Sequence, residues 1–415
     1  MSDVNRMKDL RVLIVCEHAS QVFGGEAILP LQYFKRLREK NVNAWLVTHG
    51  RVKSHLQEVM PEYMEYIFFI PDTKGHVFFH KLGGYLPDRI RVFTTGFIGH
   101  LITQIYQIKI VRKQIKDKKI NVVHEPAPVS PKQPSVMFFL GVPVIVGPLN
   151  GGINFPDSFQ YMQGKFEKIF YKVGRLFSLV LNVFMPGKLL ANIILVANQR
   201  TKKALPLFIQ GQVIELVENG VDLDLWKFRK PSKLKKPIQF VFMGRLIDLK
   251  CVDLLIQAFS KIESEAKLVI IGDGKIRSEL ELLARESKAR NEIEFLGWMP
   301  QIECSQKLIE SDVLVLPSVR ECGGAVVLEA MAVGLPVIAV NWGGPADYIT
   351  PETGILIEPS DKNLFVQELS NAMQLLADDE NKRLSMGVEA RKRVEEQFDW
   401  NKKVNNIIDI YRSIL

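Results

Sequence analysis

A chain of 415 residues is longer than one core comfortably organises, so two domains are expected. Its 47% hydrophobic and 24% charged residues are ordinary for a globular protein, which sets aside fibrous and disordered classes. The net charge of +8 calls for an anionic partner, and with no nucleic-acid-binding signature present, a phosphorylated substrate or a membrane surface outranks nucleic acid.

In chain order, the opening residues to Cys16 hold an apolar run too short for a secretory leader, and it reads as a first buried strand. Short β-branched runs then predict strands over Arg11–Cys16, Ala44–Thr48, Tyr66–Ile70, Asn121–His124, Pro143–Val146 and Asn192–Val196, with helical periodicity between them. Val22-Phe23-Gly24-Gly25-Glu26 follows the first strand and opens a helix near Ala27–Lys40. Paired glycines there let backbone N–H groups approach a phosphate or sugar, although Gly-Gly is also common loop punctuation. His124-Glu125-Pro126 ends the fourth strand, where the expected cleft lies; a structural histidine is the competing account. Gly147-Pro148-Leu149-Asn150-Gly151-Gly152 follows the fifth, as an acceptor contact or a tight turn.

From Lys165 to Phe184 apolar residues recur at helical spacing beside a basic stripe of Lys165, Lys168, Lys172 and Arg175. Such a helix fits an anionic membrane surface, and a core helix with solvated lysines fits the spacing as well. Helix Thr103–Lys118, with its basic end, is a second candidate surface. Glu218–Asp222 is turn-rich, and Lys230–Pro237 is basic and Pro-bounded, as linkers are.

The rhythm then restarts, with strands predicted over Ile238–Met243, Lys267–Ile271, Glu294–Leu296, Val313–Leu316, Pro336–Val340 and Gly354–Ile357. Gly244 and Arg245 follow the first of these, and Lys250 closes the same loop. Arg245 can grip a phosphate with its planar fork, and Lys250 can add a point charge. Glu321 lies in the loop before a helix and Glu329 inside that helix, with Gly323 and Gly324 between them. A helix start of this kind attracts anions, and acids around it suit a ligand that also carries hydroxyls. The one Asp-x-Asp triplet, Asp222-Leu223-Asp224, falls in the turn-rich crossing and reads as a turn. The cysteines Cys16, Cys251, Cys304 and Cys322 form no zinc spacing, so no metal site and reduced thiols in a cytoplasmic protein are expected.

Two stretches together carry a family resemblance. Pro317-Ser318, Glu321, Leu328-Glu329-Ala330-Met331-Ala332, Gly334-Leu335-Pro336-Val337-Ile338-Ala339 and Gly343-Gly344 make one, and Met243 to Phe259 makes the other. They closely resemble the signatures of the family 4 glycosyltransferases, retaining enzymes of the GT-B fold. The resemblance assigns Arg245 and Lys250 to the diphosphate of a nucleotide-sugar donor, Glu329 to its ribose and Glu321 to the transferred sugar. His124-Glu125-Pro126 is similar to an element of bacterial phosphatidylinositol mannosyltransferases, where the histidine lies beside the reacting sugar. Two departures stand out: Cys251 where the family usually has glycine, and Cys322-Gly323-Gly324 where Gly-Phe-Gly is common.

The expectation is therefore an α/β chain with two doubly wound parallel-sheet domains facing across a cleft. They would be an acceptor-side domain over residues 1–216, a crossing and linker over 217–237 and a nucleotide-sugar domain over 238–400, with a last helix over 401–415 returning to the first domain. The expected function is metal-independent, cofactor-free transfer from a nucleotide sugar to a lipid-linked or saccharide acceptor, in the cytoplasm or at the cytosolic face of the membrane. The alternatives are a sugar-nucleotide epimerase and a non-catalytic partner subunit. Catalytic candidates are Glu321, His124, Arg245 and Lys250; donor-binding candidates are Gly24, Gly25, Gly244, Arg245, Lys250, Glu321, Gly323, Gly324 and Glu329.

Overall fold

The computed structural model describes residues 9–21, 25–86, 91–164, 174, 177–229, 237–287 and 292–415. Gly24, the whole basic stripe of Lys165, Lys168, Lys172 and Arg175, and linker residues 230–236 lie outside the described residues. The chain divides into two compact units. One comprises 1–152, 166–218 and 403–415; the other comprises 153–165 and 219–402. Residues 153–165 thus group with the second unit although they follow a strand of the first.

The first unit holds β1 Arg11–Val15, α1 Gly25–Glu39, β2 Asn43–His49, α2 Lys53–Val59, β3 Ile67–Ile70, α3 Lys74–Gly83 and α4 Phe97–Asp117. It continues with β4 Val122–Glu125, β5 Val144–Leu149, β6 Ile193–Val196, α5 Gln199–Lys203 and β7 Gln212–Glu215. All seven strands are parallel, in the order β3-β2-β1-β4-β5-β6-β7. Continuous apolar runs such as Ile193–Val196 are buried along their whole length, as strands covered on both faces must be. The edge strand β7 went unread in the sequence because only its two central residues are apolar and none is fully buried.

The second unit runs β8 Ile238–Met243, α6 Val252–Phe259, β9 Ala266–Ile271, α7 Arg277–Glu286, β10 Glu292–Gly297, α8 Gln301–Glu310, β11 Val313–Leu316 and α9 Ala325–Val333. After these come β12 Val337–Val340, α10 Gly344–Tyr348, β13 Gly354–Ile357, α11 Lys362–Asp378, α12 Glu380–Gln397 and α13 Trp400–Ser413, the last counted with the first unit from Lys403 on. Its six strands are also parallel, ordered β10-β9-β8-β11-β12-β13. In each sheet the order reverses at the first strand, between β1 and β4 and again between β8 and β11. Ligands of open α/β sheets bind at this switch point, beyond the strand C-termini.

Candidate functional site

In the second unit the switch point brings together loops that are far apart in sequence. The loop after β8 carries Gly244, Arg245 and Lys250, and the loop after β11 carries Glu321, Gly323 and Gly324. Backbone stitches them, with Val319 N–H donating to Leu249 O at 3.2 Å. Lys250 Nζ then donates to Glu321 Oε2 across 71 residues of sequence, and both side chains are mostly buried. Arg245 is exposed and forms no ion pair or side-chain hydrogen bond among the described residues.

Glu321 is held from behind by backbone. Its carbonyl accepts from Gly344 N–H at 2.8 Å, and a Cβ on Gly343 would stand 2.1 Å from that same oxygen. A Cβ on Gly344 would stand 2.0 Å from Gly323 O, so only glycine permits this approach at either position. Gly324 takes the left-handed conformation at the start of α9, where no side chain caps the helix. The first N–H groups of α9 are therefore available to an anion beside Lys250 and Arg245. Further along the same helix, the side chain of half-buried Glu329 has no hydrogen bond or ion pair among the described residues, and burial pushes its carboxyl up to about 7.

Residues that sequence reasoning missed complete this loop. Asn154 O accepts the Trp342 indole N–H at 2.8 Å, the Arg320 guanidinium lies 5.0 Å from the Phe155 ring, and Ile153 packs where a Cβ on Gly343 would go. Residues 153–155 are thus a strap over both flanks of Glu321. The cluster of Ile153 and Phe155 beside Gly152 was its one signal, and nothing in the local pattern says which sheet it covers.

The first unit handles its switch-point polar residues differently. Gly25 opens α1, and a Cβ there would meet nothing within 4 Å, so packing does not demand the glycine. His124 is fully buried, with Nε2 2.6 Å from Gly147 O and Nδ1 2.6 Å from Tyr411 Oη. A carbonyl only accepts, so Nε2 carries the proton and the Tyr411 hydroxyl donates to Nδ1. Burial, against the raising effect of the Gly147 carbonyl and with a smaller push from Lys403, lowers the imidazole pKa to about 4. Both nitrogens are thus committed and no edge of the ring is exposed, an arrangement that fits the structural account of His124 better than the catalytic one. Asn150 is likewise buried, donating to Glu218 Oε2, and a Cβ on Gly151 would collide with Pro131 at 2.6 Å. That element is a packed turn.

His49, Asp72 and His76 bring possible metal-ligand atoms within 4.8 Å of one another. Arg51 already holds Asp72 at 2.8 Å, and His76 is bonded at Nδ1 to Thr73 N–H (3.1 Å) and at Nε2 to Thr103 Oγ1 (3.0 Å). The group is a polar network rather than an open coordination sphere. In the second unit Asp224 N–H donates to Asp222 Oδ1 at 3.1 Å, the hydrogen bond of an Asx turn.

Residues 224–393 match the family model described as glycosyl transferases group 1. The chain is similar to a GDP-mannose-dependent monoacylated alpha-(1-6)-phosphatidylinositol monomannoside mannosyltransferase of Corynebacterium glutamicum, 32% identical over 41% of this chain and 46% of that protein. It is also similar to a UDP-Gal:alpha-D-GlcNAc-diphosphoundecaprenol alpha-1,3-galactosyltransferase of Escherichia coli, 28% identical over 80% of this chain and 86% of the other. An N-acetyl-alpha-D-glucosaminyl L-malate synthase of Bacillus anthracis is 34% identical over 49% of this chain and 54% of its own. The chain thus spans about half the length of two of these three relatives. Among solved structures, sucrose-phosphate synthase from Thermosynechococcus elongatus superposes with a TM-score of 0.68 over 97% of this chain and 98% of that one, at 19% identity. WaaG, a glycosyltransferase involved in lipopolysaccharide biosynthesis, gives 0.62 over 96% and 99%, at 16% identity. The sequence matches make residues 224–393 similar to the group 1 glycosyl transferases, consistent with the family 4 type, and the solved structures share the GT-B fold over nearly the whole chain.

Proposed function

We propose that this protein is a retaining glycosyltransferase that moves a sugar from a nucleoside diphosphate sugar to a hydroxyl of a lipid-linked or polysaccharide acceptor. The observation that carries the reading is the charge arrangement at the β8–β11 switch point. Lys250 is fixed by Glu321, Arg245 is free among the described residues, and uncapped α9 has the unpaired Glu329 carboxyl further along it. Cations and helix N–H groups stabilise a departing diphosphate, and carboxylates accept from sugar and ribose hydroxyls.

In the reaction the bond from the anomeric carbon to the diphosphate oxygen breaks, and its electron pair leaves with the phosphate. Arg245, Lys250 and the α9 N-terminus take up that charge. The acceptor oxygen bonds to the anomeric carbon on the same face, and its proton passes to the departing phosphate oxygen. Glu321 orients the sugar. Retention comes from the family resemblance, and metal independence rests on these cations doing the work that a metal does elsewhere. Base contacts come, by the same resemblance, from the loop Trp298–Pro300 that follows β10. The two relatives named for phosphatidylinositol-mannoside and diphosphoundecaprenol acceptors support a lipid-linked acceptor, in cell-surface polysaccharide or glycolipid assembly on the cytosolic face of the membrane.

The test is thermal stabilisation by several nucleoside diphosphates and their sugars, followed by release of nucleoside diphosphate with and without candidate acceptors. Stabilisation by one diphosphate family and acceptor-dependent release are expected. Acceptor-independent release with an altered sugar would make the protein an epimerase instead, and no nucleotide binding at all would leave a non-catalytic subunit.

A further inference from the structure

One side of the first unit is built from helices turned inside out. α3 buries His76 and exposes Val77, Phe78 and Leu82, with Tyr85 just beyond its end; Phe78 is 60% exposed and Tyr85 88%. The N-terminal half of α4 buries His100, Thr103, Gln104 and Gln107 while Ile98 and Ile105 face outward; its C-terminal half packs Val111, with Ile108, Ile110 and Ile115, on the sheet core. The helical stretch 177–184 buries Ser178 and Asn182 and exposes Val183 and Phe184 at 69% and 76%. A helix packed on a water-soluble core does the opposite.

The three segments adjoin. A Cβ on Gly75 would lie 3.2 Å from Ile102 Cδ1, and the Phe97 and Phe177 rings meet edge to face at 6.1 Å. Several of their inward polar groups are bonded within the unit, while His100 Nε2, Gln104 Oε1, Gln114 Oε1 and Asn182 Oδ1 are buried without a partner among the described residues. His100 Nδ1 is 2.6 Å from Glu17 Oε2, Gln104 Nε2–H donates to Pro134 O at 3.2 Å, and Asn182 Nδ2–H donates to Ser178 O at 2.7 Å. With His76 on Thr103, this network gives α3, the first half of α4 and 177–184 a polar interior to face, and Val77, Phe78, Ile98, Ile105, Val183 and Phe184 are left outward.

Charge narrows the occupant. Lys74–Leu86, 91–116 and 177–184 contain no Asp or Glu. Lys74, Lys81, Lys109, Arg112 and Lys113 are exposed among or beside the apolar side chains. An apolar surface whose described segments carry a basic rim and no acid, with Asp72 and Asp117 just beyond their ends, complements a bilayer with anionic headgroups. A second copy of the chain would instead bring the same cations together, with no carboxylate from these segments to answer them.

We propose that this face docks on an anionic lipid surface, with Phe78, Tyr85, Val183 and Phe184 at the acyl boundary and the lysines among the phosphates. Its purpose, to bring the protein to a lipid-linked acceptor, rests on the proposed function, while the docking itself is read without any transfer. No helix among the described residues is long and apolar enough to cross a membrane.

The experiment is flotation of the full chain with phosphatidylcholine vesicles, with and without phosphatidylglycerol, at low and high salt. Binding should require phosphatidylglycerol and weaken with salt. Phe78→Glu and the double variant Val183→Glu/Phe184→Glu should each reduce it about tenfold or more, with stabilisation by nucleoside diphosphate unchanged. Failure of the unmodified chain to float would overturn the docking whatever its nucleotide binding, and so would a dimer in gel filtration that the same variants split. Vesicle binding without nucleotide stabilisation would spare the docking and count against the transferase.

Discussion

At the switch point of the second sheet, charged side chains stand at the ends of β8 and β11 with their functional atoms turned to one another or left open. At the corresponding place in the first sheet, His124 at the end of β4 faces inward and has both nitrogens bonded. Strand order and parallel pairing are shared, so topology alone does not make a binding site. What differs is the support. In the second unit Gly343 and Gly344 and the strap at 153–155 hold a loop from behind and leave its side chains outward. In the first unit Tyr411 and the Gly147 carbonyl meet the histidine from both sides.

The most severe test of this contrast removes the cations. Lys250→Ala leaves Glu321 without its partner, and Arg245→Ala takes away the open guanidinium. Each should lower turnover by about 100-fold or more, the order of losing one donor from a preorganised anion site, with the unfolding midpoint nearly unchanged for exposed Arg245. A full rate in both variants, measured as acceptor-dependent release of nucleoside diphosphate, would place the diphosphate elsewhere.

The two acids of the site should separate next. Glu321→Ala should chiefly lower kcat, whereas Glu329→Gln should chiefly weaken nucleotide binding, by about tenfold for a lost charged hydrogen-bonding partner. Glu329 also has a signature in stability. Its carboxyl titrates at about 7 in the folded chain against 4.5 ordinarily, so the folded state retains a proton that the unfolded state has lost between those values. Its contribution to stability therefore falls as pH rises from 4.5 to about 7. Glu329→Gln should be the more stable protein above pH 7, by about 1–3 kcal/mol, and lose that advantage near pH 4. Urea unfolding at the two pH values measures it, and an advantage independent of pH would mean that the carboxyl is not held protonated.

His124 should show the opposite slope. Its folded pKa of about 4 lies below the ordinary 6.5, so its contribution is complete above 6.5 and lost as pH falls towards 4. His124→Phe leaves the Tyr411 hydroxyl buried without its acceptor and should cost about 1–3 kcal/mol at neutral pH. The variant should also flatten the acid side of the stability profile. Nucleotide affinity should be unaltered, and a large loss of affinity at unchanged stability would restore a ligand-facing role.

These cases show what could be read from the chain itself. Most of the twelve predicted strands were legible because parallel strands buried on both faces are unbroken apolar runs, as in Val313–Leu316, and half-exposed β10 was legible by its alternating acids and apolar residues. Half-exposed β7 was not. Arg245 and Lys250, like Glu321 and Glu329, were legible as groups because each lies in one strand-loop-helix stretch. That Lys250 meets Glu321 follows only from β8 pairing with β11. That the His124 ring turns inward was not legible, because a position at a strand end does not say to which side a ring turns. The strap was missed because its partners Arg320 and Trp342 come more than a hundred and fifty residues later.

The smallest effect is expected at Cys251, where the family usually has glycine. The residue is left-handed, with φ 50° and ψ 38°, between the turn that carries Lys250 and the start of α6. That backbone costs a residue with a Cβ about 1–2 kcal/mol, which glycine would avoid. Glycine would in turn give up about 1 kcal/mol through greater chain entropy and about as much through loss of a buried side chain. The opposing contributions nearly cancel, so Cys251→Gly should change stability by no more than about 1 kcal/mol and leave the Lys250–Glu321 contact and turnover intact. The thiol itself is 2% exposed, and burial pushes its pKa up to about 12, so it should resist alkylation at pH 8 while half-exposed Cys322 is modified first. Peptide mapping after brief iodoacetamide treatment reads this directly. Rapid labelling of Cys251 would mean that the turn opens, and that Lys250 is held less firmly than its pairing with Glu321 implies.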